Sequence, residues 1–167
     1  MIEPLLLRVA RLCVGVTEAP GPASNPVIMQ WAKDIGAPMP VFTSDSVAWC
    51  VVAANRWLMA CGYPLSGTGY DLLRARSFAA WGVPLTTPAL GAVLVFHRPA
   101  GAHVGLYIGE REDAYYVLGA NQGDAVSYMW IAKDRLVAVR WPAGVPLPEL
   151  RAISLASAGG PVSLNEA

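Results

Sequence analysis

A chain of 167 residues is long enough to bury a real core in one domain without disulfide staples. Its 12 lysines and arginines balance its 12 aspartates and glutamates, and they form no basic run, which argues against nucleic acid as a partner. Although 54% of the residues are apolar, no stretch is both long and uncharged enough to span a bilayer, and 3 cysteines do not make a disulfide scaffold.

Residues 4–16 predict a first helix, with Leu5, Leu6, Val9, Leu12 and Cys13 on one face and Arg8 and Arg11 off it, ended by Gly15. The start, Met1-Ile2-Glu3-Pro4, has no basic segment and does not read as a secretory signal. A loop dense in turn residues follows, and then a helix over residues 26–35, capped by Asn25 with Pro26 in its first position. Pro38 and Pro40 lead into the central element, a helix from Ser46 to Cys61. Ser44, Asp45 or Ser46 is expected to cap its start, and Gly62 to supply the left-handed residue past its end. Trp49, Ala53, Trp57 and Ala60 recur along it at helical spacing, a face suited to packing on a sheet.

Cys50 falls in the first turn of this helix, where unpaired N–H groups and the helix dipole favour a thiolate. Cys50 is therefore the candidate nucleophile. Cys61 lies about three turns further along, too far to bridge it, and Cys13 sits among Leu12, Val14 and Val16; both read as inert core residues.

After Gly62 the pattern predicts a helix over residues 70–81 and then strands over residues 92–96, 103–108, 114–118, 126–131 and 136–141. Their short spacing implies antiparallel neighbours, and helices followed by a sheet read as α+β. Beyond Trp141 the composition turns to Pro, Ala, Gly and Ser. This divides the chain into a domain over residues 1–142 and a tail over residues 143–167.

The search for a base is short because there are 2 histidines. A hairpin centred near Glu112 places His103 opposite position 121 or 122, and directly opposed residues share a sheet face. Asn121 is thereby set to hydrogen-bond one imidazole nitrogen. If the Cys50 helix packs on that face, the other nitrogen meets the thiol, which gives a Cys50–His103–Asn121 triad. His97 and His103 have a permissible metal-ligand spacing, but no cysteine pair or carboxylate motif completes a tetrahedral set, so neither a metal nor another cofactor is expected.

Several fragments now align in one order: Gly15 to Pro22 with Asn25-Pro26, Asp45 with Trp49-Cys50, Trp81-Gly82 before Pro88 and Gly91, His103-Val104-Gly105, and Gly119-Ala120-Asn121-Gln122. Together, over about residues 13–142, they resemble a CHAP-like branch of the NlpC/P60 papain-like cysteine peptidases, whose members often come from phage or prophage. Ala102 and Ala120 depart from it, standing where glycine is usual.

The resemblance implies a papain-like α+β fold, with the nucleophile helix packed on a five- to six-stranded antiparallel sheet. It also implies cleavage of an amide bond in bacterial peptidoglycan, by an endopeptidase or an N-acetylmuramoyl-L-alanine amidase. Cys50 is then the nucleophile, His103 the base and Asn121 the third polar residue. Glu18, Asp45, Trp49 and Gln122 are site-lining positions, with a structural role the alternative for Glu18 and Asp45, core packing that for Trp49, and a solvated loop carboxylate a further one for Glu18.

An acyltransferase or transpeptidase would use the same residues, and a non-catalytic wall- or partner-binding module could share the fold. The expected protein is a monomer that binds no membrane. It is made in the cytoplasm and reaches the wall through a holin, a phage tail or a secretion system, with an immunity protein as partner if it is a secreted toxin.

Overall fold

Three helices, Leu5–Arg11 (α1), Pro26–Asp34 (α2) and Cys50–Ala60 (α3), precede a sheet of seven strands in a computed structural model that describes residues 2–147 and 149–166. The strands are Val83–Pro84 (β1), Val93–Arg98 (β2), Gly101–Glu110 (β3), Ala114–Gly119 (β4), Ser127–Ala132 (β5), Leu136–Trp141 (β6) and Val162–Ser163 (β7). They lie in the order β1-β6-β2-β3-β4-β5-β7, antiparallel throughout except for the β5–β7 pair. The fold is α+β, as the element order predicts. The two strands beyond the expected five are two-residue edge pairings, too short to leave a periodic signal.

Alternation along the strands builds two cores. Val93, Val95, Val104, Leu106 and Leu118 face the helices and join one cluster with α1, α2 and α3. Leu94, Phe96, Tyr107, Val117, Ile131, Val139 and Trp141 form a second cluster on the opposite face, from strands β2 to β6. The sheet therefore curls over its own inner face: Lys133 after β5 bonds Glu110 on β3, and Arg135 two residues later reaches the carbonyl of His97 on β2.

α1 is shorter than predicted. At Gly15, with φ 92°, the chain turns extended and pairs with the β4–β5 loop through Gly15 N–H to Val126 O (3.0 Å), Val126 N–H to Val16 O (2.8 Å) and Glu18 N–H to Asp124 O (2.9 Å). α2 begins as predicted, with Asn25 Oδ1 accepting from Val27 N–H at 2.8 Å.

α3 starts four residues later than predicted, and none of Ser44, Asp45 and Ser46 caps it; Trp49 occupies the cap position. It is buried on nearly every side from Cys50 to Asn55, while Ala60 is exposed, so the predicted four-residue stripe understates its burial. Its C-terminus is as expected. Gly62 at φ 71° lets Gly62 N–H bond Met59 O and Tyr63 N–H bond Leu58 O, the paired bonds of a Schellman end.

Residues 70–81 differ from prediction. They form two 3₁₀ segments, Gly69–Leu73 and Ala75–Ala80, separated at Arg74 by an extended φ of −121°. Leu72, Ala75, Phe78 and Trp81 are the buried residues, and a spacing of three matches the eclipsed 3₁₀ face rather than the α-helical one.

Parts of the tail dock on the sheet. Ser154 pairs with Glu110, β7 lies beside β5, and Glu166 bonds Arg135 through both carboxylate oxygens at 2.7 and 2.8 Å. Residues 148 and 167 of the predicted tail fall outside the described residues. Among the described residues no helix is long and apolar enough to cross a membrane.

Candidate active site

Cys50 is the first residue of α3 and, at 1% exposure, forms part of the floor of a cleft of about 280 Å³. Ala48, Arg74, Arg76, Arg98 and Ala102 are among the other lining residues. The earliest N–H of this segment to bond a helix carbonyl is that of Ala53, to Trp49 O at 3.0 Å. The N–H of Cys50 is one of the first-turn donors that no helix carbonyl reaches, so it is free to bond an acceptor brought to the sulfur.

Burial decides the state of the thiol. It pushes the Cys50 pKa up, while the Arg98 charge and the N–H groups of Val104 and Val51 pull it down without prevailing. The helix start does not deliver a resting thiolate, contrary to expectation.

His103 is fully buried near the start of β3. Its cross-strand partner is Phe96, whose ring belongs to the inner core, whereas α3 shares its core with the alternate residues Val104 and Leu106. The helix therefore does not pack on the face that carries His103. The Cys50 sulfur instead lies at the backbone N–H of Val104, the residue after His103. Burial lowers the His103 pKa from 6.5 to about 4, against opposing effects of Glu166 and of the Gln122 hydrogen bond. The resting pair is a neutral thiol and a neutral imidazole.

Gln122 orients that imidazole. Its Nε2 donates to Ser127 O at 2.7 Å and Val117 O at 3.3 Å, so its Oε1 is the atom turned to His103 Nε2 at 3.0 Å. An amide oxygen only accepts, so the proton of the neutral ring sits on Nε2. Nδ1 keeps the lone pair, and among the described residues it has no hydrogen-bond partner, the thiol included. Gly119 makes room for this pair: a Cβ there would collide with Gln122 Oε1 and lie 3.1 Å from His103 Nε2.

Asn121 does not hydrogen-bond the imidazole. The β3–β4 ladder ends at Gly105↔Gly119, and Asn121 then takes a left-handed φ of 56°, which turns its amide toward α3. Its Oδ1 accepts from Trp49 N–H at 3.3 Å and its Nδ2 donates to Glu18 Oε1 at 3.1 Å. Glu18 also accepts from Trp49 Nε1 at 2.8 Å. Trp49 is fully buried against Trp31, with ring centroids 6.3 Å apart, so it is core and not a groove wall. Burial, helped by the nearby charges of Asp124 and Asp45, raises the Glu18 pKa. Asp45, 2% exposed, accepts from Ala19 N–H and Asn25 N–H, each at 2.7 Å, and so anchors the 19–25 loop instead of capping α3.

The structure thus brings Gln122 to His103 and sets the Cys50 sulfur at the N–H of the next residue, Val104, while Asn121, Glu18 and Trp49 are tied together by hydrogen bonds at the start of α3. Sequence reasoning passed over Arg98 and the orienting bond of Gln122. A signal existed for Arg98, an isolated charge that closes the apolar run of β2. No protein-family model matches the chain, and neither does any curated protein or solved structure.

Proposed function

We propose that this chain is a cysteine-dependent hydrolase that cleaves an amide bond of bacterial peptidoglycan, with a papain-like fold of the CHAP-like NlpC/P60 kind. The observation that carries the chemistry is the fixed tautomer of His103: a buried imidazole with its proton held on Nε2 has its Nδ1 lone pair uncommitted, and the Cys50 sulfur lies at the backbone N–H of the next residue, Val104. The choice of wall substrate comes from the motif resemblance.

In this mechanism the Cys50 proton passes to His103 Nδ1 as Sγ attacks the substrate carbonyl, since neither group is charged at rest. The unreached N–H of Cys50 holds the developing oxyanion. His103 then protonates the leaving amine, and water, deprotonated by the same nitrogen, hydrolyses the thioester. A correctly placed base contributes about 10²–10⁴-fold. The protein is delivered to the wall by a holin, a phage tail or a secretion system.

Cys50→Ala is expected to abolish the turbidity loss of a wall suspension while circular dichroism and the melting temperature stay close to wild type. Lysis retained by the folded variant would remove the proposal. Mass spectrometry of the released fragments identifies the bond cut.

A further inference from the structure

The cleft at Cys50 is lined by three arginines and no carboxylate. Arg74, between the two 3₁₀ segments, and Arg76, on the second, are exposed, but Arg98 is 8% exposed. Its Nε is sealed from solvent without a partner, and among the described residues its guanidinium makes no hydrogen bond and no ion pair. Arg135, also largely buried, shows the contrast: it is matched through both outer nitrogens by the Glu166 carboxylate. A buried charge is normally paired, because removing it from water is costly. Arg98 lacks a pair on the wall of the cleft that holds the thiol.

We infer that the cleft is a carboxylate-binding site in which Arg98 receives a free carboxylate of the substrate, with Arg74 and Arg76 adding positive potential at its mouth. The preferred substrate is then an amide whose flanking residue carries an unblocked carboxylate. A planar guanidinium matches a carboxylate through two parallel N–H bonds, and the low-dielectric wall strengthens them. This rests on Cys50 being the nucleophile only in naming the ligand as substrate; the site itself follows from Arg98 and the cleft.

Arg98 also pulls down the Cys50 pKa, so a loss of activity on its mutation would not separate the two roles. Binding in the Cys50→Ala background does. The probes are soluble stem-peptide fragments of peptidoglycan, with their carboxylates free or converted chemically to carboxamides, measured by calorimetry. Free carboxylates are expected to bind tighter by about tenfold or more, the range of a charge-assisted bond. Arg98→Gln should shrink that preference to about twofold, with Arg98→Lys in between. Equal binding of the two probes, no binding of either, or a preference that survives Arg98→Gln overturns the inference. An Arg98-dependent preference with no wall lysis by the wild type would support the site and reject the hydrolase.

Discussion

At the residue scale the decisive feature is one amide. Gln122 gives both amide protons to carbonyls, which leaves its oxygen as the acceptor that faces His103 Nε2 and so sets the ring proton. Gln122→Met removes that acceptor at similar volume and frees the imidazole to exchange tautomers. The expected result is a fall in kcat of about 10²-fold or more with KM little changed, as for other base–orienter pairs whose tautomer is mis-set. Nitrogen NMR of the His103 ring should show the Nε2–H form in the wild type and a mixture in the variant. Asn121→Ala should leave that signature intact, because its amide bonds Trp49 and Glu18 instead. A wild-type tautomer in Gln122→Met would refute the assignment.

The same histidine sets a pH dependence. Its pKa is lowered to about 4 in the folded chain, from 6.5, so between those values the unfolded chain binds more protons. The contribution is fully present above pH 6.5 and is lost as pH falls toward 4, by about 3 kcal/mol over the window. Urea unfolding at pH 5 and pH 7 should show wild type less stable at the lower pH. His103→Gln should lose most of that difference, and an unchanged slope in the variant would place it on other groups.

At the scale of elements, what could be read from the sequence depended on whether the signal was local. The end of α3 was legible because Gly62 acts through its own φ, and α2 because Asn25 bonds a neighbour two residues away. The start of α3 was not. Asp45 has the chemistry of a cap, yet its carboxylate serves Ala19 and Asn25, twenty or more residues back, while the N–H of Trp49 is taken by Asn121, 72 residues ahead. Capping rules see only the near neighbours. The hairpin count put position 103 opposite 121 or 122 and took Asn121 as the partner, but the ladder ends at Gly119, and the left-handed turn at Asn121 delivers Gln122 to the imidazole. Cys50 and His103 stood out because few residue types could act as nucleophile and base. The role of Gln122 needed the turn.

At the scale of the whole molecule, the end of the chain closes the curl of the sheet over the candidate base. Glu166 is 1% exposed and held by Arg135, while its carbonyl accepts from Gly123 N–H at 3.0 Å, next to Gln122. Burial raises the Glu166 pKa, but the hydrogen bonds from Arg135 and the nearby charges outweigh it, and the net shift is downward. Glu166→Ala leaves Arg135 a buried charge without its carboxylate, a change expected to cost about 3–5 kcal/mol. Removing both partners in Glu166→Ala/Arg135→Ala should cost less than Glu166→Ala alone, because no unpaired charge remains. Urea midpoints of the wild type, both single variants and the double variant close the cycle. Additive losses, or a Glu166→Ala cost below about 0.5 kcal/mol, the usual size of a surface substitution, would show that the tail is not part of the cooperative unit. The imidazole adds a second readout: Glu166 favours its charged form, so His103 should ionise even less readily once that carboxylate is gone.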